Sequence, residues 1–201
     1  MKKFWHYILE AFLIVFSVLF ALFIENYVEA QKREKQKVFA LERIRQEIER
    51  NSKIVAEWYP RHERIHALLE RNALTGYDSL KKAMQPYNYF NMGVIFGNEP
   101  LANTLLSSTA WETARTTGIV SDFDFKLSEE LTNLYTIQTV IMDNTLQGIV
   151  SLLFDPNTHD PQRLDVTLKQ FELRFRELAG QEYLLSRDYN NVLTKLLAHG
   201  I

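Results

Sequence analysis

The sequence contains no cysteine, which excludes disulfide bonds, thiolate metal sites and cysteine nucleophiles. It has only seven glycines and five prolines in 201 residues, a scarcity of chain breakers that argues against a turn-rich β fold. The net charge of −2 provides no global attraction to nucleic acid. The sequence also lacks a nucleotide-binding loop, a nucleophile elbow and a dinucleotide fingerprint. With 46% hydrophobic residues, it predicts an all-α fold built from long helices.

A long hydrophobic run, Phe4 to Ile24, follows a short basic tail over residues 1–3. As a helix this run is about 31 Å long, which matches the hydrocarbon thickness of a bilayer. We therefore predict a transmembrane helix over residues 4–25, with the lipid bilayer as its partner. A cleaved signal peptide ending near Val28-Glu29-Ala30 is the alternative, but its apolar core would be unusually long. Aromatic residues at the two predicted interfaces also favour a retained anchor: Trp5, Tyr7 and Tyr27.

The charges on the two sides of the predicted span give conflicting indications of the side of the membrane on which the domain lies. The basic residues that follow the span outnumber those before it and favour a cytoplasmic domain: Lys32, Arg33, Lys35, Lys37 and Arg43. The short tail carrying Lys2 and Lys3 favours the reverse, because a basic tail directly before a first span usually stays inside. We predict that the domain lies outside the cytoplasm.

One face of the predicted span carries small and polar residues. Glu10, Ser17 and Ala21 are separated by seven and four residues, so they share a helical face. The Ser17–Ala21 pair would let two helices approach closely, with Glu10 protonated or paired across the contact. This pattern predicts self-association through the span. The alternative is that Glu10 reaches back to the headgroups and the small residues are incidental.

A charged helix over residues 26–58 is predicted after the span, because this region contains neither proline nor glycine. Pro60 is expected to end or kink it, with a helical domain over residues 59–201. Apolar residues repeat at three- and four-residue steps along the helix: Leu41, Ile44, Ile48, Val55 and Trp58, interrupted by Asn51. This stripe either packs on the rest of the domain or forms a homo-oligomeric coiled coil, in which Leu41, Ile48 and Val55 would mediate self-association.

The sequence His62-Glu63-Arg64-Ile65-His66 matches the H-E-x-x-H pattern of zinc metallopeptidases. Two histidines four residues apart on a helix can bind zinc while Glu63 activates water. Arg64 lies inside the motif, where a cation weakens metal binding. We therefore interpret the segment as a surface helix and predict no metal, cofactor or catalytic residue, keeping zinc bound by His62 and His66 as the alternative.

The remaining sequence predicts further helices. Residues 86–100 form an irregular aromatic segment, either core or a ligand-binding loop near Tyr87 to Phe96. Thr109 and Glu112 fit a capping box, and Gly118 fits the position after the helix end. An aspartate, Asp122 or Asp124, is expected to cap the next helix, which runs to about Phe154. The last helical segment is expected to pause at Gly180.

The segment Ile24-Glu25-Asn26-Tyr27-Val28-Glu29 and the motif Thr109-Ala110-Trp111-Glu112-x-x-Arg115-x-x-Gly118 resemble a family of uncharacterised bacterial single-span membrane proteins. Tyr135 also lies where that family tends to place a tyrosine, whereas Tyr27 replaces its usual tryptophan. The resemblance implies an N-terminal span in the bacterial inner membrane, a long charged helix and a helical domain. It implies no activity or cofactor.

These observations predict a membrane-anchored, non-enzymatic protein that acts in self-association or in docking of a protein partner. The alternative is a membrane-anchored zinc metallopeptidase that uses the His62–His66 motif. A helical sensor that binds a small ligand in the aromatic segment is a third hypothesis, which rests on loop composition alone.

Overall fold

The computed structural model describes residues 2–85, 90–97 and 99–198, and within these ranges every regular element is helical, which confirms the all-α prediction. Short 3₁₀ turns over residues 119–122, 156–159 and 161–163 connect the later helices. The part of the chain that is described contains seven α-helices: α1 (Lys2–Ala73), α2 (Asp78–Met84), α3 (Gly93–Phe96), α4 (Thr109–Thr116), α5 (Phe125–Thr139), α6 (Gln147–Phe154) and α7 (Leu164–Ala198).

Helix α1 continues through Pro60 to Ala73, so the prediction that it ends near Trp58 was wrong. A proline removes the hydrogen bond to the carbonyl four residues earlier, here that of Ala56. Both Pro60 and Ala56 lie on the exposed side of the helix, where water can satisfy this carbonyl. Trp58 and His62, on the opposite side, are fully buried, and their packing keeps the helix intact across the proline.

The apolar stripe of α1 lies in the core of its own domain. It continues past the proline to Leu69 and packs mainly against α7. Leu41, Ile48 and Val55 are at most 2% exposed, so the structure overturns their proposed role in self-association. These side chains are already covered by the same chain. The packed domain accordingly begins near Leu41, well before the expected boundary at residue 59.

Two further helices differ from expectation. Helix α7 passes through Gly180 without a break, because buried neighbours such as Leu178 and Leu185 hold both of its halves against the core. Helices α5 and α6 are joined by a π-helical segment, Val140–Leu146, within one continuous helix. The expected cap of α5 is present, since Asp124 accepts a hydrogen bond from the Leu127 amide, and the combined helix ends at Phe154.

The aromatic segment over residues 86–100 contributes to the core where it is described. Phe90 is buried, and the Phe96 ring packs against Phe171 and Phe175, with both centroid distances at 5.8 Å. The residues of the proposed ligand loop that include Tyr87, over positions 86–89, lie outside the described residues, as does Asn98. The described aromatic side chains therefore pack in the core, with Phe96 remaining partly accessible.

The first part of α1 has the opposite environment. From Phe12 to Ile24 its apolar side chains are roughly half exposed or more, and no other part of the described chain covers them. Among the described residues, α1 is the one helix long and apolar enough to span a membrane. The same helix thus presents uncovered apolar side chains at one end and packs into a domain core at the other.

Candidate docking groove and the buried polar network beneath it

A half-open groove of about 720 Å³ lies between α1 and α4. On the α1 side it is lined by Phe39, Arg43 and Arg50, which follow one another at helical spacing. On the α4 side it is lined by the small residues Ala110 and Ala114. The volume lies within the range of ordinary ligand and peptide sites, and the walls combine apolar surface with a few charged groups.

Neither arginine of the groove is paired with an acidic group in the described residues. Arg43 lies over the Phe39 ring, 4.9 Å from its centroid, and donates a long hydrogen bond of 3.4 Å to Gln46. Arg50 is exposed and forms no salt bridge with any described residue. Both guanidinium groups are therefore available to an anionic group that enters the groove.

The floor of the groove contains a buried carboxylate, Glu47, which is 1% exposed. Its two oxygens accept hydrogen bonds from four donors on other elements. The Ser107 hydroxyl and the Ala110 amide donate at 2.7 and 2.9 Å, the Tyr135 hydroxyl at 2.8 Å and the Trp111 amide at 3.4 Å. A carboxylate at this position also complements the positive end of the α4 dipole. Glu47 therefore joins α1 to both α4 and α5.

This arrangement corrects the predicted capping box. Thr109 lies inside α4 and its side chain does not cap the helix; Ser108 is the N-cap and likewise forms no side-chain cap bond. Glu112 instead pairs with Arg115 on the surface. Glu47 takes the capping role, because it reaches the free amides from a neighbouring helix. At the other end of α4, Gly118 has a φ of 77°, the left-handed conformation for which glycine is suited.

Two aromatic residues close the network on the side of α5. The Trp111 and Tyr135 rings stack with centroids 5.4 Å apart and an interplanar angle of 3°. Burial raises the pKa of the Tyr135 phenol, and the adjacent Glu47 carboxylate raises it further. Tyr135 consequently stays protonated and remains a hydrogen-bond donor to Glu47 at physiological pH.

A second set of buried polar groups extends the network toward α7. The Asn51 amide group donates to Gln138 at 3.0 Å and to the Ser107 carbonyl at 2.7 Å, and its oxygen accepts from the Ser107 amide. The Tyr189 hydroxyl donates to the same Gln138 oxygen at 2.7 Å. These bonds satisfy side chains that would be costly to bury unpaired.

The segment over residues 99–108, which we call the strap, runs along α1 and is held there by α1 side chains. Besides Glu47 and Asn51, which bind Ser107, the Trp58 indole donates to Asn103 at 3.3 Å and Arg61 donates to the Pro100 carbonyl. An irregular segment needs partners for its backbone groups, and α1 supplies them over several turns. The strap leads directly into α4 and thereby positions the groove wall.

His62 belongs to this contact surface and not to an open metal site. Its Nε2 lies 2.8 Å from the Leu101 carbonyl and its Nδ1 lies 2.7 Å from Glu182, a residue of α7 that is also fully buried. A carbonyl can only accept, so Nε2 carries the hydrogen. Burial raises the pKa of Glu182 above its ordinary value, against the lowering effect of His62. When the carboxyl is protonated, it can donate to Nδ1.

The zinc interpretation receives no support from this geometry. Both His62 nitrogens have partners, and His66 Nδ1 lies 3.8 Å from Glu63. Across the ranges 2–85, 90–97 and 99–198, no group of three or more potential ligand side chains could hold a metal ion.

The other predicted self-association residues lie on the uncovered part of α1. Glu10, Ser17 and Ala21 are exposed, and the Ser17 hydroxyl donates to the Leu13 carbonyl one turn earlier. Because this bond is within the helix, Ser17 leaves a small surface on that face. The structure thus places the three residues together on an accessible face of the predicted span.

Sequence reasoning overlooked Glu47 and Glu182. Glu47 stands among exposed charges in the sequence, and its partners are 60 or more residues away. Its register did contain a signal, since it lies three residues after Ile44 and four before Asn51, on the inner edge of the stripe. For Glu182 the corresponding signal is its spacing of four and three residues from Leu178 and Leu185 in α7.

Comparison with known proteins gave no match to a family model, to a curated protein or to a solved structure.

Replacing Glu47 with alanine should leave four hydrogen-bond donors in or near the core without their acceptor. We expect the free energy of unfolding to fall by about 3 kcal/mol or more, since each unsatisfied buried group costs about 1–3 kcal/mol. Urea unfolding of the detergent-solubilised protein measures this loss. Glu42→Ala, an exposed change on the same helix, should stay within about 0.5 kcal/mol of the parent protein. Equal effects of the two substitutions would contradict the assignment.

Replacing Glu182 with glutamine should preserve its bond to His62, because the amide group donates as the protonated acid does. Since the folded-state pKa of Glu182 is raised, the stability from its protonated form is complete below its ordinary pKa and is lost as the pH rises through the folded-state value. Glutamine avoids this loss. The stability of Glu182→Gln relative to the parent protein should therefore increase with pH across that interval in urea titrations.

The matched variant Glu182→Ala leaves Nδ1 of His62 without a partner, and it should be about 1–3 kcal/mol less stable than Glu182→Gln across the same pH interval, because neither variant carries the titrating carboxyl. If glutamine destabilised the protein as much as alanine, or if its effect did not vary with pH, the protonated carboxyl would be the wrong assignment.

Proposed function

We propose that this chain is a single-span protein of the bacterial inner membrane that acts without catalysis, by docking an acidic amphipathic helix of a partner protein in the α1–α4 groove. The observation that carries the proposal is that the groove lies on the anchoring helix itself. One wall is formed by α1, and the other is bonded to α1 through Glu47. A partner held there would therefore be held at a fixed place relative to the membrane.

The distance from the bilayer supports a partner that is itself close to the membrane. From Glu25 to Arg43 the helix rises about 27 Å, and to Arg50 about 38 Å. An occupant of the groove would thus lie about five to seven helical turns beyond the predicted end of the span. The charge of the tail before the span, with Lys2 and Lys3, favours a location outside the cytoplasm for this contact.

The chemistry of the walls supports a helix as the occupant. Ala110, which is partly accessible, lines the groove from α4, and its small side chain permits close approach of a backbone. Arg43 and Arg50 are seven residues apart, so a helix with acidic residues at the same two-turn spacing could pair with both. Phe39, which is 57% exposed, provides an apolar contact at the end nearer the membrane.

Self-association through the face of Glu10, Ser17 and Ala21 remains part of the proposal. It concerns the span alone and is compatible with a docked partner, because the groove lies beyond the predicted bilayer boundary on the same helix. The close approach permitted by Ser17 and Ala21 supports it.

Photocrosslinking in native membranes tests the docking proposal. With a photoreactive amino acid at Phe39, we expect one dominant adduct, whose linked peptide is a helical segment with acidic residues seven positions apart. Arg43→Glu should reduce its yield about tenfold or more, because an attractive contact becomes a repulsive one.

Lys53→Glu provides the control, since Lys53 is an exposed cation of α1 that does not line the groove. It should leave the adduct unchanged. An adduct that lacks such acidic residues, or one that is reduced equally by both charge reversals, would refute the proposal.

A further inference from the structure

A second groove, of about 350 Å³, lies near the membrane-distal end of α1, against α3 and the start of the strap. Its α1 side carries three arginines on one helical face: Arg61, Arg64 and Arg71. The acidic side chain among its lining residues is Glu99. The groove therefore contains more guanidinium groups than carboxylates, although the whole protein has a net charge of −2.

Arg61 is held in place at the edge of this groove. Its Nε lies 3.1 Å from a Glu99 carboxylate oxygen in a salt bridge, and one terminal nitrogen donates to the Pro100 carbonyl. The side chain is only 14% exposed. A guanidinium has five N–H donors in a rigid plane, so these two contacts leave donors for a further acceptor. Because its orientation is already set, little side-chain entropy remains to be lost on binding.

Arg64 and Arg71 provide two more cations along the same wall. Both side chains are exposed, and neither forms a salt bridge with a residue in the described ranges. Along the helix axis Arg64 lies about 4.5 Å beyond Arg61, and Arg71 about 10 Å beyond Arg64. Arg61 and Arg64 are close enough to share one anionic group, whereas Arg71 stands at the far end of the groove.

The floor between these cations is apolar. Ile65 and Ile95 are buried there, and Leu68, Val94 and Phe96 remain partly accessible. Gly97, at the rim, has a φ of 67° and open space where a side chain would stand. A fully hydrated inorganic anion would gain nothing from such a floor, whereas an anion attached to an apolar body would bury that body against it.

We infer that this groove is a binding site for a small organic anion, in which a carboxylate or phosphate group pairs with Arg61 and Arg64 while its apolar body lies on Leu68, Val94 and Phe96. The volume suits a small molecule, not a folded partner. Arginine is suited to both acid groups because its planar fork can donate two parallel hydrogen bonds to either. This site is separate from the α1–α4 groove and does not depend on the docking proposal.

Calorimetry with the full-length protein in detergent, at one fixed salt concentration, tests this inference with three probes: phenyl phosphate, benzoate and inorganic phosphate. We expect saturable binding of phenyl phosphate or benzoate, and the tighter of the two identifies the acid group. Inorganic phosphate should bind at least about tenfold more weakly than phenyl phosphate, because it has no apolar body to bury.

Three variants distinguish the site from general attraction to cations. Arg64→Gln should weaken the better organic probe about tenfold, the loss of one charge-assisted hydrogen bond. Val94→Thr keeps the side-chain volume but reduces apolar contact, and it should weaken the organic probe about threefold without affecting inorganic phosphate. Arg187→Gln removes an equal charge from an exposed arginine of α7 that pairs with Asp188, and it should have no effect.

The inference is overturned if neither organic probe binds, if inorganic phosphate binds as tightly as phenyl phosphate, or if Arg187→Gln weakens binding as much as Arg64→Gln. Circular dichroism of each variant establishes that it is folded as the parent protein is, so that a loss of binding reports on the site.

Discussion

A single unbroken helix, α1, must satisfy two different surroundings, and the rest of the structure depends on this constraint. Apart from the Ala56 carbonyl opposite Pro60, its backbone hydrogen bonds are internal along the helix, which is the condition for crossing lipid and equally for lying in a protein core. Its side chains suit one of these surroundings near the start of the helix and the other farther along it. Phe20 is 54% exposed and has no cover within the described chain, whereas Ile48 is fully buried against the domain. Because no turn separates these regions, the domain is attached to the predicted anchor without a flexible linker.

The polar groups on the inner face of α1 determine how the remaining elements sit on it. Hydrophobic packing against α7 supplies most of the contact, but it would tolerate sliding or rotation of the helices. Glu47, Asn51 and His62 are directional, because each must meet donors or acceptors at hydrogen-bond distance. Through the strap they fix α4, and with it one wall of the groove. The candidate site is thus a consequence of how the core satisfies its buried polar groups.

The parts of this structure that could be predicted from sequence are those with a local cause. The cap at Asp124 and the left-handed Gly118 follow from the chemistry of single residues near helix ends. The parts that could not be predicted depend on distant partners. Pro60 by itself predicts a helix end, yet α1 continues through it because buried neighbours on the other side of the helix hold it against the core. Glu47 caps α4 from another helix, a contact that no local motif indicates, and so Thr109 was assigned a role that it does not have.

The chain has no cysteine, so single cysteines can be introduced as spin-label sites without removing others. Phe20 and Phe39 form a matched pair on α1, with 54% and 57% of their surfaces exposed. In reconstituted bilayers, collision rates with oxygen and with a water-soluble nickel chelate report the solvent at each label. The structure, interpreted as a retained span, predicts that oxygen dominates at position 20 and the chelate at position 39. Equal access of the chelate to both positions would contradict the account that α1 passes from lipid into the domain core.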